Sequence, residues 1–396
     1  MARNYLPLLL ILLIVAALYR DDFSFTLLYF FAGAYALGVW WTRRALASVK
    51  FRREFTDRAF LGEIVNVKLE IKNTSLLPIP WLRVHEGLSV DLSGPQSFQR
   101  IATLGGKGQV NFEYTVEARR RGYYPIGPIF FTSNDILGLS ETDQRLEGIQ
   151  EHLTVYPKII PLTKVDFQSR SPLGTLRHHQ PIFEDPTRVM GKRDYIPGDS
   201  LRRVDWKSTA VTGRMQVRIY EPSIALETVI CLNLNADDYH IRQRIMSTEL
   251  AVVIAASLAN WVVSKKQTVG LYAHGKDPLA EAEQPQFIPA RSGRGHLMRL
   301  LDILARIQVG ECPQFAEALR NRRVHLPWGT TLTVITGNAG DDLIDELYQA
   351  RKSGLNINLI LAGLVPNARE IHHRAEHFGI PVIYIPDERE MAIWQQ

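Results

Sequence analysis

Cysteine is scarce in this chain, and the common short catalytic motifs are missing from it. The two cysteines among 396 residues, Cys231 and Cys312, lie far apart and form neither a disulfide framework nor a zinc-binding spacing. The sequence contains no G-x-S-x-G, no H-E-x-x-H and no phosphate-cradling G-x-x-x-x-G-K-[ST]. The doublets His178-His179 and His372-His373 place neighbouring side chains on different faces of a strand or helix, which suits no shared metal. These absences predict that the protein is not an enzyme.

A large charge excess of one sign is also missing. Lysine and arginine number 46 against 41 acidic residues, which gives a net charge of +5. The surplus is local and no recognisable module of stacking aromatics accompanies it, so nucleic acid is not the expected partner. Basic residues beside a membrane account for the surplus more simply.

Two uncharged apolar segments occupy the N-terminus. They are Leu6–Tyr19 and Phe23–Thr42, and Arg20-Asp21-Asp22 separates them. A membrane span needs about 20 apolar residues, which the second segment supplies and the first nearly does. A signal peptide is the alternative for the first segment, but no small-x-small cleavage site precedes the charged residues. We predict a two-helix transmembrane hairpin. Lysine and arginine cluster between residues 43 and 58, which places both termini and the bulk of the chain in the cytoplasm, at the cell (inner) membrane.

The rest of the chain changes period near its middle. From about residue 45 to 161, short alternating runs such as Ile64–Ile71 are separated by Gly and Pro turns, which predicts a small antiparallel β-sandwich. From residue 227 onward, apolar strands such as Glu227–Leu234 alternate with helical spacing, which predicts an α/β domain with a doubly wound parallel sheet. The predicted domains are a hairpin (1–44), a sandwich (45–161), an interdomain segment (162–226) and the α/β domain (227–396).

The segment between the two domains is dense in charge. Arg188–Glu221 contains eight basic and four acidic residues, the turn pair Pro197-Gly198 and a tryptophan, Trp206. Charges of both signs at this density indicate a paired network that fixes one conformation. The segment is either a salt-bridged linker that locks the two domains together or a docking surface. We expect its last strand, Met215–Tyr220, to join one of the two neighbouring domains.

Oxygen-bearing side chains follow two strands of the predicted parallel sheet. The first strand leads into Asn233, Asn235, Asp237 and Asp238, and a later one leads into Thr336 and Asn338. Ligands of parallel sheets bind beyond the carboxyl ends of the strands, and Mg²⁺ and Ca²⁺ take oxygen ligands. An Asx-rich turn that caps the next helix is the alternative.

The central segment resembles the signature of the domain-of-unknown-function 58 family, a G-x-R-x-Y-x-P-G-D-x-x-R-x-I-D-W-K run followed by a V-R-x-[FY]-E strand. The stretches RRRGYYPIGP (119–128) and NDILGL (134–139) are also similar to family motifs, with Ile136-Leu137 in place of Pro-Phe. The signature and partner-docking residues carried over are Gly191, Arg193, Tyr195, Pro197, Gly198, Asp199, Arg202, Asp205, Trp206, Lys207, Arg218 and Glu221.

The resemblance implies a membrane-anchored protein with a von Willebrand factor A-like domain. Such domains commonly hold a divalent cation through an Asp-x-Ser-x-Ser loop, a Thr and a further Asp. Here the loop reads Asn233-x-Asn235-x-Asp237, and Gly337 follows Thr336 where relatives carry Ser-Asp. The lost carboxylates imply a degenerate site, no required cofactor and at most weak Mg²⁺ or Ca²⁺ binding.

Because genes of this family often lie beside those of MoxR-type AAA+ ATPases, the resemblance implies a membrane-tethered adaptor or scaffold. It would engage such an ATPase and other proteins in assembly or remodelling. The alternatives are a metal-dependent von Willebrand A-type binding protein and a structural or sensor protein of the cell envelope.

Overall fold

The protein is described from a computed structural model. It covers residues 5–19, 22–89, 91–92, 98–135, 141–146, 151–163, 184–222, 227–280 and 285–394. The chain divides into two compact units: Met1–Lys158 with Leu301–Arg306, and Ile159–Leu300 with Ile307–Gln396. Residues 162–226, predicted as a segment of their own, are grouped with the second unit.

The N-terminal unit begins with two apolar helices, α1 (Tyr5–Tyr19) and α2 (Asp22–Leu46). Helix α2 is long and apolar enough to cross a membrane, and its apolar window is not buried in the protein. The last turn of α2 differs, because Ala45 and Leu46 pack into the core of the β-strands that follow. The indole of Trp41 donates a hydrogen bond to the carbonyl of Pro78 at 3.0 Å. The end of α2 is therefore part of the β-region.

In the described part of the N-terminal unit, ten strands follow and form three small sheets. The first sheet has the order β1-β3-β6, the second β2-β10-β7 and the third β5-β4-β8-β9. All pairs are antiparallel except β2 with β10, which the purely antiparallel prediction did not include. The strands are β1 (Val49–Glu54), β2 (Arg58–Phe60), β3 (Ile64–Asn73), β4 (Ile79–Glu86), β5 (Phe98–Leu104), β6 (Gln109–Glu117), β7 (Gly122–Ile126), β8 (Ile129–Asn134), β9 (Glu141–Leu146) and β10 (Glu151–Tyr156).

The alternation in β3 explains how the sheets pack. Every second residue of the strand is buried, so one face carries the apolar side chains. Leu69 and Ile71 on that face contact the core shared with the third sheet. Val65 and Val67 contact the core shared with the second sheet. One face of the first sheet thus covers both of the others.

A charged network is buried among these sheets. Arg53 on β1 donates through Nε to Glu86 on β4 at 2.8 Å and through a terminal nitrogen to Glu151 on β10 at 2.6 Å. The hydroxyl of Tyr114 on β6 donates to the other oxygen of Glu86 at 2.5 Å. The side chains of Arg53 and Glu86 are 2% and 0% exposed. Because each charge is paired, the network joins strands of all three sheets without leaving an isolated buried ion.

A small two-stranded sheet begins the described part of the second unit. Strand β11 (Glu184–Asp194) pairs antiparallel with β12 (Gln216–Pro222). A short 3-10 helix (Leu201–Arg203) and helix α3 (Trp206–Thr212) lie between the two strands. We call residues 184–222 the signature unit. The prediction that Met215–Tyr220 joins a neighbouring domain's sheet is wrong, because β12 finds its strand partner within the same unit.

The remainder forms an α/β layer structure. One six-stranded sheet has the order β15-β14-β13-β16-β17-β18, and all its pairs are parallel except that of the edge strand β15. The elements are β13 (Glu227–Asn233), α4 (Arg244–Ser264), β14 (Thr268–His274), β15 (Gln286–Arg291), α5 (Arg294–Arg306), α6 (Phe315–Arg323), β16 (Thr331–Thr336), α7 (Asp341–Lys352), β17 (Asn356–Ala362), α8 (Ala368–His377) and β18 (Val382–Ile385).

The composition of β13 explains its central position. Nearly all of its residues are buried, as expected for a parallel strand covered on both faces. Helix α4 contacts β13, β14, β16 and β17, while α6, α7 and α8 share a second core cluster with the sheet. Helix α4 is also apolar enough to cross a membrane, but it is mostly buried inside the protein.

Candidate functional site

The signature unit is built around a tight turn. Residues 196–199 form it, with Pro197 and Gly198 in the middle and the amide of Asp199 donating to the carbonyl of Ile196 at 3.0 Å. Gly198 has φ of 111°, a conformation that favours glycine. The guanidinium of Arg193 on β11 donates two parallel hydrogen bonds to the carboxylate of Asp199, of 2.6 and 2.7 Å, and we call this pair the clamp. This pairing lowers the pKa of Asp199 to about 2, so the clamp stays charged over the physiological range.

Asp205 joins three elements of the unit at one carboxylate. One of its oxygens accepts from the amide of Ser208 at 3.1 Å and caps the N-terminus of α3. The other oxygen accepts from Lys192 of β11 at 3.0 Å and from Arg218 of β12 at 3.2 Å. The capping hydrogen bond and the two cations hold the pKa of Asp205 well below its usual range. The orientation of α3 against both strands therefore depends on this one side chain.

The inner side of α3 is fixed by polar contacts. The hydroxyl of Thr209 donates to the carbonyl of Asp205 at 2.9 Å and accepts from the amide of Gln216 at 3.0 Å. Lys192 also donates to the hydroxyl of Ser208. The helix ends at Gly213, whose φ of 69° is the left-handed conformation of a helix C-terminus. These contacts make the signature unit one ordered piece, as the charge pattern predicts.

The outer side of the unit presents apolar side chains to solvent. Trp206 is 67% exposed and Val211 is 83% exposed. Leu201 and Ile196, which precede α3, are exposed by 62% and 59%. Only isolated apolar side chains are ordinary on a protein surface, whereas groups of them mark contact sites.

A second polar cluster lies at the carboxyl end of the large sheet. The side-chain amide of Asn233 donates to Asp238 at 2.7 Å and to the hydroxyl of Thr336 at 3.0 Å. Its carbonyl oxygen accepts from the amide of Asn235 at 3.0 Å, which fixes which end of the side chain faces the carboxylate. The NH₂ group of Asn233 thus donates to an oxygen of Asp238 and to the oxygen of Thr336, which are the oxygens a cation at this position would bind.

Asn235 and Asp238 complete the hydrogen bonds of this cluster. Asn235 donates to Asp238 at 3.3 Å and accepts from the amide of Cys312 at 3.2 Å. Asp237, predicted as a ligand, is exposed and Asp238 takes the contact instead. Within the described residues, no group of three or more His, Cys, Asp or Glu side chains is placed to hold a metal ion.

The sequence of this region matches a known family. Residues 191–352 match the family described as Protein of unknown function DUF58. The chain therefore contains a DUF58 region at residues 191–352. The matched region starts in β11 and ends with α7, so it contains the signature helix and the carboxyl-end cluster together. Over 319 residues the chain is also 23% identical to the uncharacterized protein YeaD of Bacillus subtilis (strain 168), covering 76% of this chain and 72% of that protein.

Two solved structures resemble short parts of the chain. The CARDB domain of the PF1109 protein from Pyrococcus furiosus is 13% identical, with 27% of this chain and 86% of that one covered and a TM-score of 0.20. A complex of zinc 2-glycoprotein and prolactin inducible protein from human seminal plasma is 13% identical, with 26% and 92% covered and a TM-score of 0.21. TM-scores this low carry no argument about the DUF58 protein.

Most of the predicted signature residues meet within the DUF58 signature unit. Gly191 lies opposite Ile219 in the strand pair, and the amide of Tyr195 donates to the carbonyl of Met215 at 2.8 Å. Arg202 and Lys207 face solvent. Glu221 lies on β12 opposite Asp185, and its side chain is outside the described atoms.

Sequence reasoning did not single out His274, did not include Lys192 among the site residues, and chose Asp237 over the neighbouring Asp238 as the ligand. Lys192 lies on β11 at a position that brings its amine to the carboxylate of Asp205. His274 ends β14 directly beside Asn233 on β13. It is 1% exposed, and neither ring nitrogen has a hydrogen-bond partner in the described part of the chain. Burial lowers the pKa of His274 to about 4, so the ring is neutral at physiological pH. No sequence motif marks it.

Proposed function

We propose that this chain is a membrane-tethered, non-enzymatic adaptor or scaffold that engages protein partners in assembly or remodelling. A MoxR-type AAA+ ATPase is the first partner to test. One observation carries the proposal: in the signature unit, charge pairs lock the inner side while apolar and basic side chains face solvent. A preorganised surface of this kind binds without losing much conformational entropy.

The tether is the pair of N-terminal helices. We take α1 and α2 as a two-pass hairpin in the cell membrane with the bulk of the chain in the cytoplasm. The exposed apolar length of α2 supports this, as do the basic residues that follow it. Because Ala45, Leu46 and Trp41 pack on the β-region, the tether would continue directly into a folded body.

The α/β domain is proposed to be von Willebrand factor A-like and to act as a binding scaffold. Its sheet places the first strand, β13, next to β14 and β16, with one antiparallel strand at the edge. This order supports the assignment. The amide of Asn233 bonds both Asp238 and Thr336, which supports a scaffold that works without a bound cation.

Affinity purification from native membranes tests the adaptor proposal. We expect the tagged full chain to recover a MoxR-type ATPase, and Arg193→Ala combined with Asp199→Ala to lose it because the turn is no longer clamped. The control is Lys68→Ala with Glu113→Ala, an exposed ion pair of 3.5 Å in the β-region. Equal recovery by both double variants would reject the signature unit as the docking site, and recovery of no ATPase by the wild type would reject the partner.

A further inference from the structure

The outer face of helix α3 is continuous and solvent-exposed. Successive helical residues are about 100° apart, which places Trp206, Lys207, Ala210 and Val211 on one side of the helix. All four are exposed. Ser208 and Thr209 point to the other side, where they bond Lys192, Asp205 and Gln216. The helix therefore presents a mixed apolar and basic face of four residues.

Trp206 is central to this face and has no structural role that explains it. Its side chain is 67% exposed and makes no hydrogen bond or ring contact among the described residues. An exposed indole loses the burial free energy that a tryptophan usually contributes to a fold. Tryptophan and arginine are the residues most enriched at the centres of protein interfaces. The indole is therefore available to fill a recess on another molecule.

The charges around this face are positive and unpaired. Arg202, Lys207 and Arg214 are exposed and form no ion pair within the described chain. The described acids of the unit are already engaged: Asp199 by Arg193, Asp205 by Lys192 and Arg218, and Asp194 by Gln216. Gln216 is neutral, so Asp194 keeps its charge, but three cations without an ion pair still outnumber it among the described side chains of the unit. A partner that complements this surplus of positive charge carries acidic residues.

We infer that the outer face of α3 binds an acidic protein surface with an apolar recess that takes the Trp206 indole. The inference rests on the proposed adaptor function and adds the chemistry of the partner. Arg202, Lys207 and Arg214 would pair with carboxylates around the recess, and Val211 would extend the apolar contact.

An anionic membrane also attracts cations, but α3 suits it poorly. Interfacial helices bind with a strength that scales with the apolar area they bury, and α3 has only seven residues, a length of about 10 Å. Its apolar side chains are one tryptophan, one alanine and one valine, which is little area to insert.

Site-specific crosslinking in native membranes locates the contact. A photo-reactive residue at position 211 of the full chain should form a crosslink to a protein. The matched control is position 324, because Val324 is 77% exposed and lies in the α/β domain. A crosslink from 324 but not from 211 would overturn the inference.

Binding measurements with a purified MoxR-type ATPase separate this inference from the proposed function. The full chain is held in neutral nanodiscs, and we expect Trp206→Ala, Lys207→Glu and Arg214→Glu each to weaken binding at least tenfold. Lys265→Glu, an exposed charge reversal after α4, should leave it unchanged. Added salt should weaken the wild-type complex, because its charge pairs are screened.

The outcomes differ for the two proposals. If the ATPase binds and all variants bind equally, this inference is wrong and the adaptor role stands. If the ATPase does not bind, but the protein crosslinked at 211 binds with the same losses in the variants, the ATPase is the wrong partner and the inference holds. If residues 206–212 gain hydrogen-exchange protection from anionic nanodiscs alone, the face binds lipid and the inference is overturned.

Discussion

Asn233 shows how one side chain sets the chemistry of the sheet's carboxyl end. Its amide has two donors and one acceptor, and the structure uses all three. A carboxylate at this position would have no donor for Asp238 or Thr336. The amide of Asn233 therefore donates hydrogen bonds to the two oxygens that a bound cation would otherwise contact. The oxygens of Asp238 and Thr336 thus have hydrogen-bond donors within the chain.

Asn233→Asp should make stability depend on a divalent cation. The new carboxylate would be buried and would lie next to the half-buried Asp238, and two neighbouring carboxylates repel each other. In the presence of a chelator, we expect the free energy of unfolding to fall by about 1–3 kcal/mol. Mg²⁺ or Ca²⁺ should restore much of that loss, because the site then has two carboxylates and a hydroxyl. Thermal melting with chelator and with each cation measures both effects.

The reciprocal exchange is the control for this prediction. Asn233→Asp with Asp238→Asn keeps one carboxylate and one amide, so it should regain stability without cation. The wild type should melt at the same temperature with and without Mg²⁺. Micromolar cation binding by the wild type, measured by calorimetry, would contradict the scaffold assignment.

At the scale of elements, the signature unit has few apolar contacts to hold it. A two-stranded sheet alone is marginal in water, and Val204 and Val217 are its buried apolar side chains among the described residues. The clamp of Arg193 on Asp199 and the three contacts of Asp205 supply the remaining constraints. An element stabilised in this way responds to pH and to single charge changes more than a hydrophobic core does.

The Asp199 clamp should persist to strongly acidic pH. The pKa of Asp199 is about 2 in the folded protein, whereas an ordinary aspartate titrates near 3.9. Because the folded pKa is the lower one, the clamp contributes stability above about pH 4 and loses it as pH falls toward 2. Carbon-13 NMR of the Asp199 carboxyl should show a midpoint near 2. Arg193→Ala should move the midpoint up toward the ordinary value, and Lys207→Ala should not; a midpoint near 3.9 in the wild type would contradict the clamp.

At the scale of the whole molecule, the N-terminal unit is held together by a buried charge network as well as by apolar cores. Arg53, Glu86, Tyr114 and Glu151 come from four strands in three sheets. Burial disfavours the charge on Arg53, but the two glutamates outweigh it and raise the pKa of the guanidinium. The network fixes which strands meet, because another arrangement would leave a buried ion unpaired.

Glu86→Ala should destabilise this unit strongly. Its removal leaves the buried Arg53 with the partly exposed Glu151 and takes the acceptor from the Tyr114 hydroxyl, and breaking a buried ion pair in this way costs about 3 kcal/mol or more. Urea unfolding of the full chain in detergent, with hydrogen exchange of β4 and β10, measures the loss. Lys68→Ala is the control, since its pair with Glu113 is exposed by 64% and 72% and should change stability by less than about 1 kcal/mol. If Glu86→Ala and Lys68→Ala lowered the free energy of unfolding equally, the buried network would contribute no more stability than an exposed ion pair, and the prediction would be wrong.

Local patterns in the sequence were enough for the elements and for the family. Alternation marks β3, a continuous apolar run marks β13, and ordered motif residues from Gly191 to Arg218 identify the DUF58 family. These features depend on residues close in the chain, whose spacing follows directly from helix and strand geometry. The tight turn at Pro197-Gly198 was predictable for the same reason.

Only the tertiary structure decided which side chains meet. Asn233 and Thr336 are 103 positions apart, and their hydrogen bond exists because adjacent parallel strands end at the same edge. The choice of Asp238 over Asp237, the pairing of β12 with β11, the burial of His274 and the packing of α2's last turn on the β-region all depend on such distant contacts. The sequence by itself determined where charge is concentrated and where most strands and helices form, because both follow from residues close in the chain. Three-dimensional packing decided which of the described charges are paired, because the partners come from separate strands and helices.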